Sequence, residues 1–441
     1  MTDTIDRRSF ILQGSAAALG LSTLGEFSPP RDPAQGNDRI VAAVMGVNSR
    51  GNELAQAFVR TGAEVRYICD VDSRAVERTV AQVDQLQQET PRGVTDFRRA
   101  LDDPAVDALV IAAPDHWHAP ATLLALQAGK HVYVEKPCSH NPREGELLVE
   151  AQQRYGRVVQ MGNQQRSSPQ SIGVIQQIRE GVIGRPYYGR AWYGNTRGSI
   201  GHGAPAPVPE WLDYELWQGP APRTPYRDNV VHYNWHWFWI WGTGEICNNG
   251  THEIDVCRWA LGVEFPTKAT SAGGRYHFDD DWECPDTQIA SFEFENGATI
   301  TWEGRSCNGR PIENRGRGAS IHGTDGTVII DRSGYVIYDN ENNEIARHIR
   351  GETVDALDTR GAGTLTDLHI ANFLESIRGE ASPTAPIDEG HKSQLLCHLG
   401  NIAQRSDGAL TCDPQTGRIL ADADAERLWS REYEPGWEPK V

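Results

Sequence analysis

Residues 39–51 read Arg-Ile-Val-Ala-Ala-Val-Met-Gly-Val-Asn-Ser-Arg-Gly, and this stretch decides the fold class. The apolar run that precedes Gly46 is typical of a buried parallel strand. Asn48 and Gly51 follow in a turn, and the helical pattern of residues 52–60 begins directly afterwards. A strand, a glycine-containing turn and a helix are together the context that a dinucleotide-binding fingerprint requires.

This turn offers what a pyrophosphate group needs. The backbone can approach a ligand closely at glycine, and the following helix turns its positive end toward it. The middle glycine of the G-x-G-x-x-G pattern is replaced by Asn48, a residue type that tolerates a positive φ. We therefore expect the turn to bind the cofactor through Gly46, Asn48, Ser49, Arg50 and Gly51.

The second predicted strand, residues 64–69, ends at Asp70, close to the interval of about 20 residues at which such folds carry an acidic side chain. A carboxylate there accepts hydrogen bonds from the adenosine ribose hydroxyls and repels a 2′-phosphate. The sequence thus favours NAD over NADP, although Arg50 and Arg74 would suit a 2′-phosphate. The alternative is that Asp70 and Asp72 only cap the next helix.

Two more apolar stretches, residues 106–113 and 131–134, end in polar motifs, Pro114-Asp115-His116-Trp117-His118 and Glu135-Lys136-Pro137. Alternation of short strands and helices predicts an α/β fold with a doubly wound parallel sheet, whose ligands lie at the carboxyl ends of the strands. We expect this Rossmann domain to occupy residues 37–160.

The remaining chain, residues 161–441, is predicted to form a second α/β domain for substrate binding and oligomerisation. A helix near 388–404 is expected to return to the first domain. The alternating strands that predict an antiparallel sheet are residues 287–294, 299–303, 319–322 and 327–330.

Four marks together resemble the Gfo/Idh/MocA family, named after glucose–fructose oxidoreductase, inositol dehydrogenase and a rhizopine catabolism protein. They are Gly46-x-x-x-x-Gly51, Pro114…His118, Glu135-Lys136-Pro137 and Gly244…Gly250-Thr251-His252-x-x-Asp255. The resemblance implies a Rossmann domain followed by an α/β domain with a large, mostly antiparallel open sheet. It implies activity on sugars or polyols, and a few members are glycosidases with bound NAD. It also implies cofactor contacts from Pro114, Asp115, His118, Glu135 and Lys136. Asn163-Gln164-Gln165-Arg166 follows the predicted strand 157–161, so we expect this segment to border both cofactor and substrate, with Asn163 on the cofactor.

Lys136 and His252 are the candidate catalytic residues. Lys136 follows a buried strand beside the expected nicotinamide, where desolvation lowers the pKa of an ammonium group. By resemblance, His252 is the acid–base partner that takes or gives the proton of the sugar hydroxyl. Glu135 would orient Lys136 or contact the nicotinamide ribose, and the alternative for the pair is a surface ion pair.

One position departs from the family pattern. Many family dehydrogenases carry Asp four residues before the catalytic His, and this chain has Asn248. Asn can position a substrate hydroxyl but accepts no proton, which weakens a plain dehydrogenase hypothesis. Asp255, at i+3 from His252, can share its helix face. Arg166 is a candidate substrate donor, or alternatively a domain-packing ion pair.

Seven of the thirteen Trp residues lie between 192 and 241. Flat aromatic faces such as Trp235 suit the CH faces of pyranose rings, but they also suit a domain core or a subunit interface. The Gly- and Pro-rich stretch 195–230 is typical of a long functional loop over the cleft.

The N-terminus carries Arg7-Arg8-Ser9-Phe10 before a short, weakly apolar run, the pattern of a twin-arginine export signal. We expect residues 1–36 to be signal and linker, and a periplasmic protein exported already folded. Because nicotinamide cofactors are scarce outside the cytoplasm, such a protein would load NAD before export and hold it tightly. The alternative is an ordinary amphipathic helix.

Charge and cysteine content exclude several classes. The formal net charge of −18 argues against nucleic-acid and anionic-membrane partners. The eight Cys form no C-x-x-C pair, and a zinc ribbon or disulfide scaffold is disfavoured. The charged loop containing His277 and Asp279–Asp281 suggests no metal. We expect a carbohydrate substrate and a homo-oligomer, dimer or tetramer.

Three hypotheses for function remain at the level of sequence. The first is a periplasmic oxidoreductase of a sugar or glycoside hydroxyl with non-dissociating NAD(H). The second is a redox-neutral NAD-dependent glycosidase, which oxidises, eliminates, hydrates and reduces back. The third is an inactive sugar-binding module that retains the fold, against which the presence of both Lys136 and His252 argues.

Overall fold

The structure is a computed structural model that describes residues 39–349 and 363–441. The predicted twin-arginine motif lies outside the described residues. Within the described part, no helix is long and apolar enough to cross a lipid bilayer.

The first half is a three-layer α/β unit with the predicted parallel sheet at its centre. Six strands have the order β3-β2-β1-β4-β5-β6 and all pair in parallel. The strands are β1 Val41–Met45, β2 Glu64–Cys69, β3 Arg92–Val94, β4 Ala108–Ile111, β5 His131–Val134 and β6 Val159–Met161. The helices are α1 Arg50–Arg60, α2 Ser73–Asp84, α3 Arg98–Leu101, α4 Asp115–Gln127 and α5 Pro142–Tyr155.

The second half contains nine strands in the order β14-β13-β12-β11-β7-β10-β9-β8-β15. Only β7 and β10 pair in parallel, so the predicted mostly antiparallel sheet is confirmed. The strands are β7 Pro186–Gly194, β8 Lys268–Gly274, β9 Thr287–Glu293, β10 Thr299–Arg305, β11 Arg317–Gly323, β12 Gly326–Asp331, β13 Gly334–Asp339, β14 Glu344–Ile349 and β15 Ala409–Thr411. The helices are α6 Pro169–Arg179, α7 Tyr214–Gln218, α8 Thr251–Leu261, α9 Gly363–Arg378, α10 Ile387–Arg405 and α11 Ala423–Glu426.

Two helices tie the halves together. Helix α10 packs against α5 and β6 of the first half and against β8 and α8 of the second. Helix α9 packs against α1, and its Phe373 forms edge contacts with Phe58 and Tyr133 in the core beneath the first sheet. The two sheets are thereby held by a continuous apolar packing rather than by a single linker.

One boundary differs from expectation in a way that matters for the site. From the sequence, a helix is expected to follow the 114–118 motif, over residues 119–128. Helix α4 instead begins at Asp115, so the Asp115–His118 motif forms its first turn. Pro114 ends the extended segment with ψ 153° and fixes where the helix starts. The polar motif therefore presents a helix N-terminus, not a loose turn, to the carboxyl edge of the sheet.

Candidate active site

A cavity of about 310 Å³ lies at the carboxyl ends of β1, β2, β4 and β5. It is lined by both halves of the chain. Of the residues predicted from sequence, those that line it are Gly46, Asn48, Ser49, Arg50, Asp70, Pro114, Asp115, His118, Glu135, Lys136, Trp235, Asn248 and His252. The predicted residues that do not line it are Gly51, Asn163, Arg166 and Asp255.

The turn between β1 and α1 is shaped for a dinucleotide pyrophosphate. Gly46 has φ +82°, and a Cβ there would lie 2.4 Å from the backbone nitrogen of Ala113. A Cβ at Gly51 would lie 2.2 Å from the Gly46 carbonyl oxygen. The Ser49 side chain makes no capping hydrogen bond, so the N-terminus of the 11-residue helix α1 is left for an anion. These features fit NAD.

Asp70 lies at the adenosine end of the cavity. Its carboxylate accepts hydrogen bonds from the backbone N–H of Val47 at 2.6 Å and of Asp72 at 2.9 Å. These contacts fix the carboxylate at the end of β2, where it can also accept ribose hydroxyls and repel a 2′-phosphate. Asp72, not Asp70, caps helix α2 by accepting from Arg74 N.

The two arginines that could have favoured NADP are both engaged elsewhere. Arg74 donates to both oxygens of Asp72, at 3.0 and 2.8 Å, and stacks on Trp211 at 3.5 Å. Arg50 donates from Nε to Glu135 at 3.0 Å. Neither guanidinium is free to receive a 2′-phosphate, which agrees with the predicted preference for NAD.

Glu135 organises the nicotinamide end. It accepts from Arg50 and, at 3.0 Å, from the amide of Gln164. Burial alone raises the pKa of a carboxyl, but Arg50 and Lys136 together lower the pKa of Glu135 below its usual value. The buried side chain is therefore an ionised carboxylate beside Lys136. The Asn163 amide, which does not line the cavity, is buried and has no hydrogen-bond partner among the described residues.

Lys136 is held across the cavity by Asn248. Its Nζ donates to the Asn248 backbone oxygen at 2.7 Å and to the side-chain Oδ1 at 3.0 Å. Asn248 belongs to a π-helical turn, Ile246–Gly250, that runs directly into α8. Such wide turns shift the backbone hydrogen bonding by one residue and are frequent at functional sites. Burial lowers the pKa of Lys136.

His252 lies in the first turn of α8 and is 6% exposed. Burial, followed by the charges of Arg332, Lys136 and Arg317, holds its pKa well below the usual range. A histidine surrounded by cations in this way is neutral and carries an unprotonated ring nitrogen. It is therefore equipped to accept a proton inside the cavity.

The motif at the start of α4 supports this end of the cavity. Asp115 accepts from the Thr243 hydroxyl at 2.6 Å, and burial raises its pKa. The two ring nitrogens of His118 lie 2.7 Å from the Ala113 carbonyl oxygen and 2.6 Å from that of Pro137. His118 thus connects the end of β4 to the Lys136-Pro137 segment, whose peptide bond is cis.

Arg166 and Asp255 form a buried ion pair away from the cavity lining. The guanidinium donates from Nε and from its terminal nitrogen to the two carboxylate oxygens, both at 2.8 Å. Asp255 also accepts from the Ser393 hydroxyl of α10 at 2.5 Å. The geometry favours the alternative that Arg166 is a domain-packing residue, because its guanidinium and the Asp255 carboxylate neutralise each other and are not available to a substrate. Asp255 consequently points away from the cavity that His252 lines.

The aromatic insert, defined here as residues 195–241, contributes both to the cavity wall and to a core of its own. Trp217 and Trp235 line the cavity, and Trp235 stacks on His236 with 3.6 Å between ring centroids. Trp237 is buried and stacks on Trp282, while Trp241 packs in a separate apolar cluster. The insert therefore supplies cavity wall with some indoles and its own core with others.

The aromatic insert is also fastened to the Rossmann half. His232 lies 3.0 Å from the Asp72 carboxylate, and its ring contacts Trp211. Ser73 N donates to the Trp211 carbonyl at 3.0 Å, and Asp213 N to the Val71 carbonyl at 3.0 Å. These contacts, with the stacking of Arg74 on Trp211, are called the insert latch below, and they join the insert to the segment that follows β2, where Val71 and His232 line the cavity.

Several cavity residues were missed in the sequence. They include Tyr193, Arg197, His232, Tyr233, Asn249, Arg317 and Arg332, whereas Gln164, which also lines the cavity, was expected near the site. Arg317 begins β11 and Arg332 lies in the β12–β13 turn, so both reach the site from a sheet whose packing no local motif reveals. Asn249 adjoins the Asn248 motif, and only that adjacency could have suggested it.

Comparison with known proteins agrees with this geometry. The model of a family described as "Oxidoreductase family, NAD-binding Rossmann fold" matches residues 40–163. A second, "Oxidoreductase family, C-terminal alpha/beta domain", matches residues 187–438. Among solved structures, an NAD binding oxidoreductase from Klebsiella pneumoniae aligns with a TM-score of 0.64 at 18% identity, covering 87% of this chain and 100% of that one. An aldose-aldose oxidoreductase from Caulobacter crescentus aligns with a TM-score of 0.63 at 18% identity, covering 85% and 99%.

Curated relatives match over a shorter region. A "Glycosyl hydrolase family 109 protein" of Shewanella sp. (strain W3-18-1) is 26% identical over 179 residues, 40% of this chain and 38% of that protein. One of Shewanella baltica (strain OS155) is 26% identical over 210 residues, 43% and 46% respectively. This chain thus aligns with less than half the length of these relatives. Because the two models of this family match both halves of the chain, the chain belongs to the Gfo/Idh/MocA family of oxidoreductases, and its first half is an NAD-binding Rossmann domain.

Proposed function

We propose that this protein acts on a hydroxyl group of a sugar or glycoside and retains its NAD(H) between turnovers. The observation that carries the proposal is the pair formed by Lys136, fixed by Asn248, and neutral His252 in one cavity with the NAD-binding turn. Lys136 and His252 are the catalytic residues in this proposal. The indole of Trp235 lines the cavity and is partly exposed, and it gives the wall a flat aromatic surface suited to a pyranose face.

When bound, NAD accepts a hydride from the carbon that bears the reacting hydroxyl. Lys136 Nζ donates a hydrogen bond to the substrate oxygen and orients the hydroxyl. An unprotonated ring nitrogen of His252 takes the hydroxyl proton as the carbonyl forms, and returns it in the reverse direction. Glu135 stays ionised and balances the charge on Lys136 and Arg50.

The insert latch supports cofactor retention. Release of the adenosine end of the cofactor would require the contacts of His232 with Asp72 and of Trp211 with Arg74 to break.

A retained cofactor suits a protein exported folded, and we propose periplasmic export by the N-terminal twin-arginine motif. We also propose assembly as a dimer or tetramer, with the exposed face of the large sheet, which carries Ile289 at 56% exposure, as the candidate contact surface.

The test is to purify the full chain natively, denature it and identify the released nucleotide by mass. We expect close to one NAD or NADH per chain. Native protein is then mixed with candidate sugars and glycosides while the near-ultraviolet absorbance of reduced nicotinamide is followed. Lys136→Ala and His252→Ala should each lower turnover about 10²–10⁴-fold without loss of the bound nucleotide. Full turnover in both variants would reject the mechanism, and an empty protein that binds no NAD would reject the cofactor role.

The second candidate is a redox-neutral glycosidase, favoured by Asn248 and by the insert latch. A retained cofactor must end each cycle in the state in which it began unless a second substrate resets it. In a glycosidase the oxidised ring acidifies the neighbouring C–H, the aglycone leaves, water adds, and reduction restores the hydroxyl. The curated relatives named as glycosyl hydrolases add support for this alternative. Sugar release with no net change in nicotinamide absorbance would select it.

An inactive sugar-binding module is the remaining alternative. It predicts that carbohydrate binds with unchanged affinity after Lys136→Ala and that no sugar is turned over by the native protein. The arrangement of Lys136 argues against it, since a pure binding site has no need for a buried ammonium group whose pKa is lowered.

A further inference from the structure

Arg332 is a cavity residue with a fixed position. It lies in the turn between β12 and β13, and its side chain is partly buried in the cavity wall. The preceding Asp331 holds that turn by accepting from the backbone N–H of Ser333 at 2.7 Å and of Gly334 at 3.1 Å. Gln165 also donates to the Asp331 carbonyl at 3.1 Å. Arg332 is thus presented by a tightly bonded turn.

No carboxylate neutralises Arg332 within the described part of the chain. The carboxylates whose charges act most on Arg332 are those of Glu253 and Glu135, and each is already paired with another arginine. Glu253 accepts from Arg317 at 2.8 and 3.0 Å, and Glu135 accepts from Arg50 at 3.0 Å. Burial, and then the charge of Arg317, lowers the pKa of Arg332 to about 9.

The other arginines of the cavity provide the contrast. Arg50, Arg197 and Arg317 each form an ion pair of 3.0 Å or shorter, with Glu135, Glu245 and Glu253 respectively. A desolvated guanidinium without such a partner is unfavourable in the free protein. It becomes favourable when a ligand brings an anion, and its planar fork matches the oxygens of a carboxylate or a sulfate.

We propose that Arg332 is an anion subsite and that the substrate is an acidic sugar or glycoside, carrying a carboxylate or a sulfate ester. This inference rests on the proposed function of the same cavity. Because the whole chain has a net charge of −18, the protein surface as a whole repels an anionic sugar, and Arg332 provides a local attraction within the cavity.

The experiment measures binding of matched sugar pairs to the cofactor-loaded full chain by titration calorimetry. The pairs are glucuronate with glucose, galacturonate with galactose, and glucose 6-sulfate with glucose. We expect at least one anionic member to bind about tenfold or more tightly than its neutral partner, the strength of a hydrogen bond to a charged group. Arg332→Gln should bring that ratio close to one. Arg347→Gln, which removes an exposed arginine of the same sheet, should preserve it.

The outcomes separate the subsite from the proposed function. A uronate preference identifies a carboxylate ligand, and a sulfate preference identifies a sulfate ester. A wild-type ratio near one, a ratio unchanged in Arg332→Gln, or loss of bound nucleotide in that variant would overturn the subsite. If the ratio depends on Arg332 but Lys136→Ala alters no turnover, the subsite stands and the proposed function fails. If Lys136 is essential for turnover of sugars that show no anionic preference, the reverse holds.

Discussion

Lys136 Nζ lies 2.7 Å from the backbone oxygen and 3.0 Å from the side-chain oxygen of Asn248, and so one ammonium group is held by a single residue twice. The backbone contact depends only on the π-helical turn, whereas the side-chain contact depends on residue type. The two can therefore be separated experimentally.

Asn248→Asp should raise the pKa of Lys136. A carboxylate in place of the amide favours the ammonium form by about one pKa unit or more. If cationic Lys136 positions the substrate oxygen, turnover falls as pH rises through its pKa, and this alkaline limb should move to higher pH in the variant. The measurement is the pH profile of kcat/KM. Asn248→Ser, which adds no charge, serves as control, and an unmoved limb in Asn248→Asp would contradict a role for Lys136 charge.

Weakening the insert latch should release the cofactor. His232→Ala and Trp211→Ala remove the contacts to Asp72 and Arg74 and leave the pyrophosphate turn intact. We expect wild-type protein to keep its nucleotide through prolonged dialysis and both variants to lose most of it, as judged by mass analysis after denaturation. His348→Ala, at an exposed site on β14, is the matched control. Equal retention in all four proteins would show that the latch does not hold the cofactor.

Breaking the Arg166–Asp255 pair should act on stability. Asp255→Ala removes the bidentate partner of a buried guanidinium and leaves it only the 3.6 Å contact with Glu389, and the loss of a partner costs about 3–5 kcal/mol in comparable buried pairs. Equilibrium urea unfolding measures this loss, and the double variant Arg166→Met/Asp255→Ala should recover much of it because neither charge of the pair remains. Asp96→Ala, in an exposed pair with Arg98, should cost less than about 1 kcal/mol. A raised KM with unchanged stability would instead assign Asp255 to substrate binding.

Stability should fall as the solution becomes acidic. Burial lowers the pKa of His116 and of His398 to about 3, so both are neutral when folded. Below about pH 6.5 the unfolded chain binds protons that the folded chain does not, and each group removes about 1.4 kcal/mol per pH unit until its folded pKa is reached. Urea midpoints between about pH 7.5 and 5.5 measure this slope. His398→Asn should make it shallower, and His348→Ala should leave it unchanged.

The local features of the first half could be predicted because each strand ends in its own ligand motif. Residues 64–69 and 131–134 were placed without error, since apolar runs bounded by polar motifs leave little freedom in a parallel sheet. Lys136, which precedes Pro137, was predicted to lie at the site in the same way, as were Asn248 and His252, each two residues from Gly250, and all three line the cavity. The predicted Rossmann domain and mostly antiparallel second sheet are both present.

What could not be predicted depends on contacts between distant segments. Arg166 was placed near the site because Asn163–Arg166 follows β6, but its partner, Asp255, lies 89 positions further on and competes for its charge. Arg332 reaches the cavity only because the β12–β13 turn folds over it, which the alternation of one strand cannot reveal. The insert latch likewise joins residues 160 positions apart, His232 and Asp72.

The π-helical turn at Ile246–Gly250 makes this segment intolerant of a change in length. A π-helical turn holds one residue more than an α-helical turn, so deleting one residue here would convert it to an ordinary turn while the helix on either side kept its orientation. His252 and Asp255 would stay in place, but the backbone oxygen at position 248 would return to the regular helical hydrogen bonding and no longer accept from Lys136 Nζ. Substitution of Asn248 alters only the side-chain contact with Lys136, whereas a change of length in Ile246–Gly250 removes the backbone contact as well.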